Sequence, residues 1–394
     1  MRHAEWRRPD AEPLRANNEP RAPARGLTEF WMHHTMMKHL IAWLTLSCAI
    51  CRGGTLFCGA YPDWVLVIDE SKGKVTDRIH MTTGLPRSLR LSPDRKTIFV
   101  STNDHNGFET IDVATHKVTN QFVLDTPTHR YRINGGAPDP QGKVLYASTT
   151  EIVKEVDRYT IGKPKYSIID LTEKKIVKSV DQPEQPAGGR GGGFGGGGFE
   201  VSPDGKYLYQ FGSKVTVLNS SDFSEVEKID LEISGMPAEN LGLGGLIEAL
   251  SDPSQRVSIF NFSDKIVHNR VFGLARFDLN TRKFDFTPIG PAPASLGGLR
   301  VTPDKKMGYT VSINGEGGNQ RCEFMGIDLS NSRMVRTSEV PCRTRFSFGI
   351  SADGRKLYMY GAGYEIDVYD AVTFKHEATW NLENDMTGAM VVLP

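Results

Sequence analysis

One pattern of short strands and turns recurs along this chain and limits how it can fold. The stretch from Phe199 to Asp230 contains four apolar runs, at Phe199–Val201, Tyr207–Phe211, Val215–Leu218 and Val226–Ile229. Ser-Pro-Asp-Gly, Gly-Ser-Lys and Asn-Ser-Ser-Asp separate them. Short runs of β-branched and aromatic residues between turn formers predict a four-stranded antiparallel meander. A single meander leaves both faces of its sheet uncovered, so it must stack on similar sheets.

Two turn markers repeat this unit. The first, related to Ser-Pro-Asp-Gly-Lys, follows the first strand of a unit and occurs six times, at residues 92–96, 138–143, 202–206, 251–254, 302–306 and 351–356. The second, an apolar residue followed by Asp or Asn, occurs seven times, at residues 68–69, 111–112, 169–170, 218–219, 277–278, 327–328 and 369–370. Copies of the second marker are about 42 to 59 residues apart, which predicts four-stranded propeller blades with loop insertions.

The two ends of the chain account for the missing copy of the first marker. Thr55–Ala60, Trp64–Ile68 and Val75–Ile79 read as three strands without a first strand, and Gly388–Leu393 reads as a first strand without successors. Pairing of these ends would leave no edge strand exposed. The predicted fold is therefore all-β, a seven-bladed β-propeller of four-stranded antiparallel blades. The C-terminal strand joins the N-terminal three to close its ring.

The N-terminal region differs from the propeller. Residues 1–35 are polar and lack apolar periodicity, which predicts a disordered upstream extension. Residues 36–51 combine a basic start with an apolar run at Leu40–Ile50, as in a secretory signal peptide, with Ser47-Cys48-Ala49 as a candidate cleavage site. The run is too short to span a bilayer. We expect a periplasmic or secreted propeller at 52–394; the alternative is a genuine tail with a buried apolar segment.

Charge and motifs bound the activity. The chain has 47 basic and 47 acidic residues, so no overall field favours nucleic acid or an anionic membrane. It contains no Gly-x-Ser-x-Gly, His-Glu-x-x-His or Asp-rich calcium loop. His105 and His129 fall in predicted loops near Asp104 and Asp125, either as a metal or acid–base site or simply in solvent. The predicted first strands hold mostly Gly, Ser, Arg and apolar residues, so we assign no catalytic, cofactor or metal residues.

A glycine-rich insertion, residues 183–198, separates two predicted blades. It matches Gly-x-Gly-x-x-Gly trivially, but no helix follows it that would offer amides to a phosphate. We interpret it as a flexible insertion at the face where the inter-blade loops surround the channel mouth. The alternative is a lid that contacts a partner through Arg190 and Phe194.

Arginines recur near the predicted first strands. They are Arg87, Arg132, Arg190, Arg300 and Arg345. If they line one rim of the channel, they favour an anionic ligand or an acidic partner surface. Otherwise they pair with neighbouring carboxylates or face solvent.

The cysteines indicate one disulfide. Cys322 opens the third strand of a predicted blade and Cys342 follows the fourth, with the hairpin turn near Asn331-Ser332. Antiparallel pairing brings the two thiols close together. In an oxidising compartment a disulfide there would stabilise the fold by roughly 3 kcal/mol. Cys58, in a predicted strand, should be a buried free thiol.

Three segments carry a family resemblance. They are Ala60–Asp69, Phe346–Gly354 and Tyr369–Phe374. They resemble YVTN-type seven-bladed propellers of exported bacterial proteins, and most of residues 54–394 looks like the β chain of quinohemoprotein amine dehydrogenases. This resemblance implies a cofactor-free chain whose sister chains carry haem and a quinone. Cys48-Ala49-Ile50-Cys51-Arg52 has the spacing of a c-type haem site, but Arg52 replaces the required His.

These observations favour a non-catalytic binding or scaffold subunit, exported and associated with protein partners that include haem- and quinone-bearing subunits. Such a subunit would belong to a periplasmic oxidoreductase of the amine dehydrogenase type. One alternative is a self-sufficient, lactonase-like hydrolase that uses the central channel. Another is a free-standing surface interaction module. Propeller repeats alone do not separate these functions, because the fold hosts many activities.

Overall fold

The computed structural model describes residues 53–103, 106–183, 198–233, 238–266, 268–343, 346–361 and 363–394. Within them the chain forms seven antiparallel sheets and one short 3₁₀ helix, Gly317–Asn319. The segments 1–35 and 36–51 and most of the glycine-rich insertion lie outside this part of the chain. The prediction of an all-β propeller with seven blades is confirmed.

The strands follow one another blade by blade. Blade 1 begins with β1 (Thr55–Ala60), β2 (Trp64–Asp69) and β3 (Lys74–His80). Blade 2 contains β4 (Pro86–Leu91), β5 (Thr97–Thr102), β6 (Gly107–Asp112) and β7 (Lys117–Val123). Blade 3 contains β8 (His129–Pro138), β9 (Val144–Lys154), β10 (Tyr159–Ile161), β11 (Lys165–Asp170) and β12 (Lys175–Asp181). Blade 4 contains β13 (Glu200–Val201), β14 (Tyr207–Phe211), β15 (Lys214–Asn219) and β16 (Glu225–Asp230).

The second half of the ring has the same order. Blade 5 contains β17 (Ala238–Ala249), β18 (Gln255–Asp264), β19 (Arg270–Asp278) and β20 (Lys283–Pro291). Blade 6 contains β21 (Ser295–Leu296), β22 (Arg300–Val301), β23 (Met307–Asn314), β24 (Arg321–Asp328) and β25 (Arg333–Val340). Blade 7 contains β26 (Phe346–Ile350), β27 (Lys356–Gly361), β28 (Glu365–Asp370) and β29 (His376–Asn381), and β30 (Met386–Leu393) returns to blade 1.

The chain termini close the ring as predicted. The blade 1 sheet has the order β3-β2-β1-β30, and β30 runs antiparallel to β1 with Leu393 opposite Thr55. Closure removes the exposed sheet edge that an open propeller would leave at each end. The four-stranded meander predicted for Phe199–Asp230 forms blade 4.

The second marker is a side-chain-capped turn in every blade. At each copy the Asp or Asn Oδ1 accepts a backbone N–H from two or three residues further along, at 2.8–3.1 Å. The residue four positions after each Asp or Asn has a positive φ; these are Gly73, His116, Lys174, Phe223, Arg282, Ser332 and Phe374. At Gly73 a Cβ would lie 2.3 Å from Trp380 Nε1, so blade 1 uses glycine there.

Apolar residues between adjacent blades form the core. For example, Phe57 and Val65 of blade 1 pack with Ile98 and Val100 of blade 2 in one buried cluster. Each sheet thus covers both of its faces with its neighbours, as the stacking argument requires. The ring is a rigid support for the loops and strand ends at its two faces.

Two blades extend beyond the others on one face. We call the face with the inter-blade connections the upper face, and the opposite face, with the Ser-Pro-Asp-type turns, the lower face. In blade 3, β8 and β9 contain 10 and 11 residues, whereas β13 and β14 of blade 4 contain 2 and 5. In blade 5, β17 and β18 contain 12 and 10 residues. A rise of about 3.3 Å per residue makes the additional length of β9 roughly 20 Å. Blade 4 therefore lies low between two raised neighbours.

Candidate functional site

Ion pairs near the lower face connect two innermost strands with the second strand of blade 5. Arg90 of β4 donates from Nη1 to the Gly136 carbonyl (2.8 Å) and places Nη2 3.4 Å from Glu200 Oε2. Arg256 of β18 places Nε 2.7 Å from Glu200 Oε1. Because these residues belong to blades 2, 3, 4 and 5, the network crosses from blade to blade beside the channel.

A further ion pair links blades 5 and 6, and its arginine also contacts blade 7. Arg300 Nη1 is 2.9 Å from Glu248 Oε1, and Arg300 Nε donates to the Phe348 carbonyl at 2.9 Å. Arg300 is therefore paired with a neighbouring carboxylate, which is the second of the two interpretations given for the rim arginines. The innermost strands also contain Glu200 and Glu248. From the sequence we expected mostly Gly, Ser, Arg and apolar residues there, and we did not identify these two carboxylates.

These charged residues could have been identified from their position in the sequence relative to the lower turn. Arg90, Glu200 and Arg300 each stand two positions before the Ser or Thr that opens the lower turn. The same position in other blades holds Ala137 and Gly349. These two blades therefore carry no charged side chain at that position.

The other predicted rim residues differ in environment. Arg87 of β4 and Arg132 of β8 are exposed on innermost strands toward the upper face. Among the residues that the structure describes, neither forms an ion pair. Arg190, Phe194 and Arg345 lie outside those residues. A basic upper rim therefore stays a prediction that rests on Arg87 and Arg132.

One face of the blade 3 extension combines cations with apolar side chains. Cross-strand pairing places Arg130 opposite Ile152, Arg132 opposite Thr150, and Lys154 opposite Tyr159, with Ile161 also opposite Ile152. Directly opposite residues of an antiparallel pair share one face of the sheet. We call this set the blade 3 basic face; its members are Arg130, Arg132, Thr150, Ile152, Lys154, Tyr159 and Ile161.

The blade 3 basic face continues the side of the sheet that packs on blade 4. Lower on that side, Tyr146 and Tyr166 pack with Phe199 and Leu208 in a buried cluster. The strands of blade 4 are too short to cover the upper part. Tyr159 is accordingly 58% exposed and Ile161 71% exposed.

The opposite side of the same extension is acidic and internally bonded. Tyr131 donates its hydroxyl to Glu151 Oε1 at 2.8 Å, and burial together with this carboxylate raises the pKa of Tyr131 to about 12. His129 Nε2 lies 3.8 Å from Glu151 Oε1. His129 opens β8 rather than lying in a loop, since the sheet extends further up than the turn signals suggest. His105 and Asp104 lie outside the described residues.

A small cleft opens between blades 5 and 6. Its volume is about 200 Å³ and its lining comprises Ile259, Asn261, Arg270, Ala292, Pro293, Ala294, Ser295 and Leu296. Arg270 donates to the Ala294 carbonyl at 3.4 Å. The cleft offers one guanidinium, one amide and one hydroxyl among apolar side chains.

A disulfide joins the upper ends of β24 and β25. The Cys322 and Cys342 sulfurs are 2.15 Å apart and their Cα atoms 5.2 Å apart. Cys58 is a buried free thiol, and burial raises its pKa to about 12.

No group of three or more His, Cys, Asp or Glu suited to a metal ion occurs in the described ranges. Those ranges also contain no helix with the length and apolar character of a membrane span.

The fold and surface features define a seven-bladed β-propeller whose upper face is raised at blades 3 and 5. The sequence matches no protein-family model and no curated protein. Among solved structures, the chain is similar to Pseudomonas aeruginosa periplasmic gluconolactonase PpgL, with a TM-score of 0.54, 14% identity, and coverage of 87% of this chain and 99% of that one. Citrobacter koseri AztD gives a TM-score of 0.52 and 13% identity over 87% and 98% of the two chains.

A third similar structure is the dihydro-heme d1 dehydrogenase NirN, with a TM-score of 0.51 and 15% identity over 86% of this chain and 75% of that one. At these identities the likeness shows the propeller fold alone. It does not distinguish among the functions that propellers perform.

Proposed function

We propose that this protein is an exported β-propeller that acts as a non-catalytic binding or scaffold subunit. One observation carries the proposal: the blade 3 basic face presents cations and large apolar side chains to solvent, whereas charges beside the lower channel pair with one another. Exposed apolar groups edged by charge are typical of protein interaction sites. Under this proposal, partners bind to the upper face, where the blade 3 basic face lies.

The sequence resemblance supports a more specific role. The segments 60–69, 346–354 and 369–374 resemble the β chain of quinohemoprotein amine dehydrogenases. In such an assembly this chain would hold haem- and quinone-bearing subunits of a periplasmic oxidoreductase without binding a cofactor itself. Arg87 and Arg132 would contribute to the contact at the upper rim.

Purification from the native cells under mild conditions tests this role. We expect the chain to co-elute with partner chains, to cross-link to them through the upper face, and to lack haem absorbance and quinone staining once separated. The co-eluting fraction should reduce a dye in the presence of amines. Elution as an isolated monomer from freshly lysed cells, with no cross-linked partner, would contradict the scaffold role.

The cleft between blades 5 and 6 supports a second candidate, a lactonase-like hydrolase. Arg270 and Asn261 provide polar groups for a small oxygen-rich substrate in a cleft of about 200 Å³. Hydrolysis of gluconolactone by the purified chain, reduced at least tenfold by Arg270→Ala, would favour this function over the scaffold. Rates equal to those without protein would exclude it for that substrate.

A further inference from the structure

We propose that the blade 3 basic face is a docking surface for an acidic polypeptide segment that also carries apolar side chains. This inference rests on the proposed binding function and deepens it, since it names the surface and the chemistry of the partner. Three arguments support it: the charge without an ion-pair partner among the described residues, the exposed apolar area, and the edge of β10 that no described strand covers.

The first argument concerns charge. Arg130, Arg132 and Lys154 are exposed on one face, and within the described part of the chain none of them forms an ion pair. At the tip of the same extension, Arg158 is paired with Glu155 at 2.7 Å. Glu151, the nearest carboxylate in the strand, lies on the opposite side. Three like charges gathered on one small surface repel one another until an anionic group approaches.

The second argument concerns the apolar side chains. Tyr159 and Ile161 are 58% and 71% exposed, and the half-buried Ile152 lies beside them. An aromatic ring and two isoleucines between basic groups match the core and rim of a protein interface. A nucleic acid backbone would satisfy the cations but would leave the isoleucines without apolar contacts. The chain's balanced charge also provides no general attraction for a polyanion.

The third argument concerns the strand edge. Among the described strands, β10 pairs only with β9. An extended segment added beside β10 would form main-chain hydrogen bonds and would direct alternate side chains onto the blade 3 basic face. Alternating acidic and apolar residues would then meet the cations and the Tyr159–Ile161 surface.

Peptide selection on the full chain tests the proposal. Random phage-displayed dodecapeptides are selected on the immobilised protein, and the strongest binders are synthesised and measured by fluorescence anisotropy. We expect enrichment of acidic peptides with interspersed apolar residues.

Arg130→Glu/Arg132→Glu/Lys154→Glu should weaken their binding at least tenfold, and Tyr159→Ser/Ile161→Ser at least fivefold. The matched control Lys96→Glu/Lys206→Glu/Lys306→Glu changes exposed lysines of the lower turns by the same charge and should stay within twofold.

Three outcomes of the peptide experiment would overturn the docking surface. They are selection without acidic enrichment, equal binding by the charge-reversed variant, and equally tight binding of a single-stranded oligonucleotide or phosphatidylserine vesicles at the same residues. Thermal melting confirms that each variant is folded. If the complex isolated from native cells persists in the charge-reversed variant, the docking surface is wrong while the scaffold function stands. If wild-type protein forms no complex, the scaffold function itself fails.

Discussion

The Tyr358 hydroxyl donates a hydrogen bond to Glu70 Oε1 at 2.6 Å across the ring closure, although the two residues are separated by 288 positions. Glu70 also accepts the backbone N–H of Gly54 at 2.8 Å and that of Ala352 at 3.1 Å. One carboxylate in blade 1 therefore binds the start of the described chain and two points of blade 7. It links blade 1 to blade 7, the two blades that meet where the ring closes.

Loss of this contact should destabilise the closed ring. Tyr358 is fully buried, so Tyr358→Phe leaves Glu70 with one partner fewer and should cost about 1–3 kcal/mol of unfolding free energy. Urea denaturation measures the change, and a double-mutant cycle with Glu70→Gln isolates the pair. Tyr364→Phe, at an exposed tyrosine, is the control and should have little effect. Strictly additive single and double variants would show that the contact does not stabilise closure.

The same tyrosine predicts a loss of stability at alkaline pH. Burial, and then the hydrogen bond to Glu70, raise the pKa of Tyr358 above its ordinary value near 10. The unfolded chain releases this proton at about pH 10, whereas the folded chain retains it. Unfolding therefore becomes easier as the pH rises above about 10 and is unaffected below it. Melting temperatures between pH 8 and 12 should fall less steeply in Tyr358→Phe than in the wild type, and parallel curves would contradict this.

The capped turns predict the opposite dependence in acid. Hydrogen bonds from Lys72 and Ser71 lower the pKa of Asp69 to about 2, and the pKa values of Asp112, Asp328 and Asp370 are lowered by similar turn contacts. The stability they provide is present above the unfolded value near 4 and is lost as the pH falls toward about 2. Asn219 makes the same turn without a titrating group. Asp112→Asn/Asp328→Asn/Asp370→Asn should therefore be less stable than the wild type at pH 7 and should lose less stability between pH 7 and pH 2; an equal loss in both proteins would refute the role of these carboxylates.

The architecture could be predicted because its signals are local. The Asp or Asn at the end of each third strand caps its own turn within three residues. The second turn marker can therefore be recognised in the sequence without knowledge of the rest of the fold. Ring closure was predicted by counting strands. The N-terminal blade has three strands and lacks a first strand, and the C-terminal end supplies one unpaired first strand. The raised ends of blades 3 and 5 were not predicted, because no turn former marks where β9 leaves the disc and the extension begins.

The charged site depended on contacts between blades. Arg300 was identified as a rim candidate, but its partner Glu248 lies 52 positions away in another sheet. Arg90 stands in the same position before its turn and was not singled out. Its contacts with Glu200 and with the Gly136 carbonyl depend on the radial arrangement of the blades, which sequence periodicity does not contain.

Reduction of Cys322–Cys342 should loosen the upper end of blade 6. The residues are 20 positions apart, and loop closure of this length stabilises by about 3 kcal/mol in the chain-entropy description. Cys322→Ser/Cys342→Ser should therefore lower the melting temperature, and dithiothreitol should lower that of the wild type to a similar value. Non-reducing mass spectrometry of the protein isolated from its native cells should find the two residues linked. Detection of both as free thiols would exclude the disulfide.

The network around Glu200 should stabilise the inner wall of the ring. Glu200 is 19% exposed at its side chain and Arg256 12%, so Glu200→Gln leaves the poorly hydrated Arg256 guanidinium, together with the 40% exposed Arg90, without a carboxylate. We expect a cost of roughly 1–3 kcal/mol, below that of a fully buried pair because solvent reaches part of Arg90. The control is Glu227→Gln, whose carboxylate pairs with Arg282 at 3.0 Å but is 45% exposed, and which should cost under about 1 kcal/mol. Chemical denaturation in low and high salt separates the two, since the exposed pair weakens in salt while the Glu200 network changes little. Equal costs for the two variants would mean that the charges beside the channel do not hold neighbouring blades together.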